Sequence, residues 1–213
     1  MKATTSAAIH DRLTLRTLNA TLGSGLAVAA LHWLEESRAG VATDAGLLAD
    51  RFSQAGYRCG PRPLPGWSGW SLADGARACL LAHAPLDGPG LAAAAASLYH
   101  RGDPAQRRGV LYSLPFLPIG DAALPLLDDA LRRDDTRLIR AALGPYAQAH
   151  LDQPRWRRAV LACLSRGIPL IGVAGLDQRR DAELAVLGEA FAQERRTAGR
   201  PVPDDVWLLT RPR

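Results

Sequence analysis

Three side chains that can take part in proton transfer lie within seven residues, after Gly144-Pro145. Tyr146 and His150 are four residues apart, so on a helix they would share one face, and Asp152 follows two residues later. Histidine titrates near neutral pH and serves as a general acid or base, while a carboxylate can orient its ring. The segment therefore predicts either a small proton-transfer site or a connector between two packed helices.

The neighbouring residues favour the connector. Gly144-Pro145 is predicted to end a helix that runs through Leu143, because proline interrupts a helix. Asp152 is predicted to cap the following helix, with Pro154 in its first turn. Folding then leaves Tyr146 and His150 without a role, which makes them the first candidates for a site.

The candidate binding set also includes a tryptophan and two arginines from the neighbouring helices. As a binding module, the protein would contact a partner or an anionic, aromatic metabolite through these side chains. As a small-molecule enzyme, it would use His150 as the acid or base, assisted by Tyr146 and Asp152. The residues leave enzymatic activity open and favour binding. The binding set is Tyr146, His150, Trp156, Arg133 and Arg140.

The elements that must position these residues are helices. No stretch alternates apolar and polar residues at a period of two, and Val and Ile are sparse beside Ala and Leu. We predict a single all-α domain over residues 1–213 with eight or nine helices. The first is expected over about 9–37, and the last long one begins near Asp181.

Repeated cap signals indicate irregular HEAT-like stacking of helix pairs. Asp103 and Asp135 both precede an apolar stripe and lie 32 residues apart, below the usual HEAT period of about 40. The next comparable cap, Asp152, follows after only 17 residues. We therefore expect stacked pairs without a regular solenoid.

The longest predicted loop covers residues 56–70, with the sequence GYRCGPRPLPGWSGW, whose glycines and prolines exclude regular structure. Trp67 and Trp70 in this loop either line a ligand pocket or close the end of a helix bundle, and the second is favoured. In the later segment DPAQRRGVL, helical spacing predicts that Arg107 and Arg108 face solvent.

Sequence signals for metals and cofactors are missing. The three cysteines, Cys59, Cys79 and Cys163, are widely spaced, which is typical of buried free thiols in a reducing compartment. No nucleotide-binding or metalloprotease motif occurs, so we expect no cofactor and no metal.

Charge and hydropathy bound the partners. The net charge of +5 is carried almost entirely by arginine, since Lys2 is the only lysine, and this skew weakens an argument for nucleic acid. A HEAT-like nucleic-acid-binding protein stays an alternative, because five arginines could face a groove, although no aromatic residues interleave with them. These are Arg137, Arg140, Arg155, Arg157 and Arg158. The apolar run LGSGLAVAALHWL is too short to span a bilayer and is predicted to be a buried helix.

The C-terminal half carries a family resemblance. The run LRRDDTRLIRAALGPYAQAHLDQPRWRRAVLACLSRGIPL, then GLDQRRDAELAVL and ERRTAGRPVPDDVW, resembles the EboA family over residues 131–208. GWSGWSLADGARACLL adds an earlier block like the family's Trp-containing helix start. The chain departs from the family pattern at Gly144 and Ala147, where an Asn-Pro-Tyr-Pro connector is expected.

The resemblance implies a function in metabolite traffic. EboA is one component of the ebo gene cluster, associated with moving secondary-metabolite precursors from cytoplasm to periplasm. It implies a non-enzymatic helical adaptor or ligand-holding protein in the cytoplasm, peripheral at the inner membrane. The implied partners are other ebo-cluster proteins, including a prenyltransferase-like membrane protein, and a small-molecule metabolite.

Overall fold

The computed structural model describes residues 14–211, and these residues confirm the predicted all-α class. They form thirteen α-helices rather than eight or nine. The additional helices are short, from four to seven residues, too few for a hydrophobic period to reveal them. Residues 14–211 contain no β-strand, only an isolated antiparallel bridge between Pro63 and Ser71. No helix within this range is long and apolar enough to cross a bilayer.

The chain forms two compact units, whose described parts are residues 14–126 (unit 1) and 127–211 (unit 2). The single domain predicted over residues 1–213 stays a prediction. HEAT-like stacking is not confirmed. Helices as short as those in unit 2 offer little length for the side-by-side pairs of a HEAT repeat.

Unit 1 is organised around one buried helix, α4, in which every residue from Leu72 to Leu81 is buried. Ser71 caps this helix, and Asp74 completes a capping box with it. The helix packs against α1, α2, α3 and α6. The six helices are α1 Leu15–Gly25, α2 Val28–Thr43, α3 Leu48–Cys59, α4 Leu72–Ala82, α5 Gly88–Arg101 and α6 Pro104–Ser113.

Two predicted boundaries in unit 1 are wrong. Of the single helix expected over residues 9–37, positions 9–13 lie outside the described residues, and the rest is divided into α1 and α2 by extended backbone at Leu26 and Ala27. Two glycines in the last turn of α1, Gly23 and Gly25, weaken the helix there. The loop expected from residue 56 begins at Gly60, because α3 continues through Cys59.

Unit 2 combines two longer helices of 13 and 16 residues with several short ones, and three of its helices have aspartate caps. Asp152 caps α10, as predicted. Asp181, expected near the start of the last long helix, caps α12, and Asp135 caps α8, which begins at Thr136. The helices, of which α7 begins just before the boundary between the units, are α7 Leu124–Arg132, α8 Thr136–Ala142, α9 Pro145–His150, α10 Gln153–Ser165, α11 Leu176–Arg179, α12 Ala182–Thr197 and α13 Trp207–Thr210.

Candidate functional site

The predicted connector at Tyr146 and His150 is in fact a helix, α9. Pro145 is its first residue, a position where proline is favoured because no hydrogen bond from its nitrogen is needed. Tyr146 is only 4% exposed. Its ring stacks on the imidazole of His150, with centroids 4.4 Å apart and planes inclined by 29°. The two side chains are therefore brought together, one buried and one half-buried.

Asp152 is engaged by the helix that it caps. Its carboxylate accepts a hydrogen bond of 2.8 Å from the backbone nitrogen of Arg155. The same side chain pairs with Arg155 Nε at 3.2 Å. Helix capping thus accounts for Asp152 without a proton-transfer role.

Arg179, which sequence reasoning missed, holds the end of α9. Its guanidinium donates to the carbonyl oxygens of Ala147 at 2.9 Å and Leu151 at 2.7 Å, and to Gln148 and Gln153 nearby. These are carbonyls that a helix end leaves without partners. The guanidinium also lies 4.9 Å from the ring centre of Trp156. Its burial lowers the pKa of Arg179 from the ordinary value.

The other predicted binding residues are placed separately. Trp156 is 0% exposed, and its Nε1 has no hydrogen-bond partner among residues 14–211. Arg133 pairs with Asp129 at 2.7 Å. Arg140 is exposed on α8. Its Nη2 lies beside Gly172, 3.8 Å from the position that a Cβ would occupy there. The binding role predicted for these residues stays a prediction.

Three of the five arginines considered for nucleic acid are paired with carboxylates. Arg137 lies 3.4 Å from Asp135, Arg155 lies 3.7 Å from Asp128, and Arg157 lies 2.5 Å from Asp181. The hydrogen bond from Arg157 lowers the pKa of Asp181 to about 2. Such pairing removes positive charge that a phosphate backbone would need.

The loop of unit 1 has a defined conformation that its sequence encodes. In the segment LPGW, the backbone nitrogen of Trp67 donates to the carbonyl oxygen of Leu64 at 3.1 Å, and Gly66 has a φ of 76°. In the segment WSGW, the backbone nitrogen of Trp70 donates to the carbonyl oxygen of Trp67 at 3.1 Å, and Gly69 has a φ of 82°. Glycine with positive φ at the third position is the signature of a type II turn. Two successive turns thus present Trp67 and Trp70 from residues 60–71, the Trp loop.

Aromatic packing fixes the Trp loop against α6. Trp70 is 8% exposed and stacks on Tyr112, with ring centres 4.4 Å apart and planes inclined by 19°. Trp67 lies 5.0 Å from Trp70 and 6.3 Å from Phe116 between ring centres. The Tyr112 hydroxyl donates to the Gly69 carbonyl at 3.1 Å, and Trp67 Nε1 donates to Thr21 Oγ1 at 3.4 Å. The loop is therefore held from both α1 and α6.

A buried charge cluster lies beneath the loop. Asp74 is 0% exposed and accepts hydrogen bonds from Ser71 Oγ at 2.7 Å and from Arg108 Nη2 at 2.9 Å. The buried Arg77 approaches Asp74 to 3.9 Å and donates to the carbonyl of Phe52 at 3.1 Å. Burial lowers the pKa of Arg77, while Asp74 opposes that change. One carboxylate thus serves two guanidiniums.

The position of Arg108 corrects the prediction that Arg107 and Arg108 face solvent. Arg108 binds Asp74 through Nε and Nη2, at distances of 2.9–3.3 Å. Arg107 Nε donates to the Tyr99 carbonyl at 3.1 Å. The helical period assigned both to a polar face, but it carries no information on the acceptors that neighbouring helices supply.

The Trp loop and Arg108 line a groove of about 670 Å³. Its walls combine the two indoles with prolines, and Arg108 is the only charged residue among the lining residues that the structure describes. Trp70 packs inward, as the favoured prediction had it, and half-buried Trp67 also lines the groove. The groove is lined by Pro61, Pro63, Leu64, Pro65, Gly66, Trp67, Ser68, Gly69, Trp70, Ser71 and Arg108.

The cysteines and the acidic side chains contribute no further site. Cys59, Cys79 and Cys163 are free and buried, and burial raises their thiol pKa values to about 11, 12 and 12. Such thiols stay protonated and unreactive at neutral pH. Within residues 14–211, no group of three or more His, Cys, Asp or Glu is arranged to hold a metal ion.

Residues 14–211 are thus all-helical in class and carry a groove with an aromatic wall and one cationic side chain among its described lining residues. The family model for EboA, described as metabolite traffic protein EboA, matches residues 48–211. The chain therefore belongs to the EboA family, and the match covers the Trp loop and α9 as well as the resemblance at 131–208. No curated protein and no solved structure matches the chain in the comparisons.

Proposed function

We propose that this EboA-family chain is a non-enzymatic holding protein for a small metabolite. It would act while a secondary-metabolite precursor is moved from the cytoplasm to the periplasm. The family description supplies the connection with metabolite traffic. The observation that supports a holding role is the groove of about 670 Å³ at the Trp loop, which lies within the size range of small-molecule sites.

The construction of the groove suits reversible binding. Hydrogen bonds to Thr21 and from Tyr112 hold the Trp loop in place, so little conformational freedom is lost when a ligand enters. The residues first considered for proton transfer have structural partners instead: Asp152 caps α10, and Tyr146 stacks on His150. Because Asp152, Tyr146 and His150 take part in contacts that stabilise the fold, we favour a holding function over catalysis.

Unit 2 would provide the surface that contacts partner proteins. Arg140 and His150 reach the surface of α8 and α9 and are assigned to contact with other ebo-cluster proteins. A prenyltransferase-like membrane protein is the partner proposed at the inner membrane, with the chain on the cytoplasmic side. Arg133, Tyr146 and Trp156 complete the set of residues proposed for this contact. A pull-down of co-expressed cluster proteins with His150→Ala tests this assignment.

The holding function is tested by recovering the ligand. The native protein is purified from a host that carries the cluster, denatured, and the released small molecules are measured by mass spectrometry. We expect one molecule at near-equal molar amount with native protein and with Trp207→Leu, a control because Trp207 is 53% exposed in unit 2. Trp67→Leu should lose it.

Turnover separates holding from catalysis. The recovered molecule is incubated with fresh protein, and its mass and amount should stay constant over hours. Conversion to a product would overturn the non-enzymatic part of the proposal. Absence of any bound molecule from the native protein would overturn the holding part.

A further inference from the structure

We propose that the groove at the Trp loop takes a planar aromatic molecule that carries an anionic group. The ring would lie against Trp67, and the anion would bind Arg108. This assignment rests on the proposed holding function, which it deepens by naming the class of ligand. It is argued from the charge, the open donors and the aromatic wall of the groove.

The charge of the groove selects an anion. Arg108 is the only charged residue among the described lining residues, and its side chain is 18% exposed. Asp74, the carboxylate that Arg108 binds, is also approached by the buried Arg77, so two guanidiniums share one carboxylate. A partly buried guanidinium that shares its carboxylate with a second arginine favours a carboxylate or a phosphate over a neutral ligand.

The N–H donors of Arg108 are arranged to bind an anion. Nε and Nη2 are both directed to Asp74, at 2.9–3.3 Å, and this bidentate pair fixes the plane of the guanidinium. Nη1 donates to no residue in the part of the chain that the structure describes. Asp74 thus holds Arg108 in place while leaving its outer amine for a ligand.

The aromatic wall selects a planar ring. Trp67 is half-buried and lines the groove, and its indole is held by Trp70 behind it at 5.0 Å between centroids. A rigid indole offers a flat apolar face at low entropic cost, and aromatic pairs prefer stacked or tilted contact. The prolines beside it, Pro63 and Pro65, add apolar wall without mobile side chains.

The first experiment compares matched probes on the native protein by isothermal titration calorimetry. 1-Naphthaleneacetate supplies ring and carboxylate, 1-naphthaleneacetamide removes only the charge, and acetate removes only the ring. We expect the naphthaleneacetate to bind about tenfold more tightly than the amide, the difference that one charge-assisted hydrogen bond gives. 1-Naphthyl phosphate distinguishes the two anions, because the tighter binder identifies the group that the groove prefers.

Variants place that selectivity on the two named residues. Arg108→Gln should abolish the preference for the anion, whereas Arg58→Gln, which removes an exposed arginine of the same unit outside the groove, should retain it. Because Arg108→Gln leaves the buried Asp74 with only the more distant Arg77 as a charged partner among the described residues, the double variant Asp74→Asn with Arg108→Gln is made as well. Trp67→Leu should weaken all ring-bearing probes about tenfold, and Trp207→Leu should not.

The outcomes separate this inference from the holding function. Equal affinity for naphthaleneacetate and its amide, or an unchanged preference in the double variant, overturns the anion assignment. A natural ligand recovered from the native protein that has no ring or no negative charge overturns it too, while the holding function stands. Probe selectivity without any recovered natural ligand supports the groove chemistry and overturns the holding function.

Discussion

The Trp loop groove in unit 1 and the α9 segment in unit 2 both join an arginine to an aromatic residue, but they use the arginine differently. Arg179 in unit 2 donates to the carbonyls that end α9 and packs on Trp156. Arg108 in unit 1 binds Asp74 through Nε and Nη2, lines the groove, and has no partner for Nη1 among the described residues. An arginine indicates a ligand site when its partners leave a donor open, not merely when an aromatic side chain lies beside it.

The largest expected effect tests the charge cluster on the unit 1 side of this comparison. Asp74→Ala should lower the free energy of unfolding by about 3–5 kcal/mol, because it leaves buried guanidiniums without their carboxylate. Urea denaturation followed by circular dichroism measures it. Asp152→Ala, which removes a helix cap and an exposed ion pair with Arg155, should cost about 1 kcal/mol. Similar costs for the two variants would contradict the central role of Asp74.

The next effect tests the structural role of Arg179. Arg179→Met keeps an aliphatic stem against Trp156 but removes the donors to the end of α9, and should cost about 2 kcal/mol. The measurement is again the free energy of unfolding in urea. Gln178→Met, an exposed neighbour, is the control and should change it little. If Arg179→Met were as stable as the native protein, the fold would not depend on the donors of Arg179. The structural role that distinguishes Arg179 from Arg108 would then be contradicted.

How far the sequence predicts the molecule depends on the distance between interacting residues. Asp152 is predicted as a cap from the sequence because the hydrogen bond that it accepts comes from a backbone nitrogen only three residues away. Asp74 and Arg108 are 34 residues apart on different helices, so no local pattern joins them. Arg179 contacts α9 across 28–32 residues and was missed for the same reason.

Short elements escaped prediction because their signals are ambiguous. Pro145 both ends one helix and begins another, and α9 has only six residues, so the residues were assigned to a connector. The Trp loop was correctly placed among glycines and prolines but was expected to lack regular structure. Its tandem turns follow from Pro65, Gly66 and Gly69, which the turn rules could have identified.

A pH-dependent effect tests the ion pairs of unit 2. The pKa of Asp181 lies near 2, below its ordinary value, because Arg157 donates to the carboxylate. A depressed pKa stabilises the fold above about pH 4, and that contribution is lost as pH falls through about 2. Asp181→Asn, which retains the capping oxygen, should cost about 1 kcal/mol at pH 7 and almost nothing near pH 2. A stability difference that does not change with pH would contradict the pairing.

The smallest expected effect concerns His150. His150→Ala removes the stack on Tyr146 and should cost about 0.5–1 kcal/mol in a protein that still folds. It should leave the amount of recovered small molecule unchanged, because the groove proposed to hold the metabolite lies in unit 1. Thermal denaturation and the mass-spectrometric recovery assay provide the two measurements. Loss of the bound molecule in this variant would move the holding site to α9.

Hydrogen–deuterium exchange of the native protein, with and without its recovered small molecule, tests the central claim most directly. The turn amides of Trp67 and Trp70 are hydrogen-bonded within the Trp loop and report on the groove. We predict slower exchange in residues 60–71 when the molecule is bound and no change in residues 145–152. Slower exchange in residues 145–152, with the Trp loop unchanged, would contradict the assignment of metabolite holding to this groove.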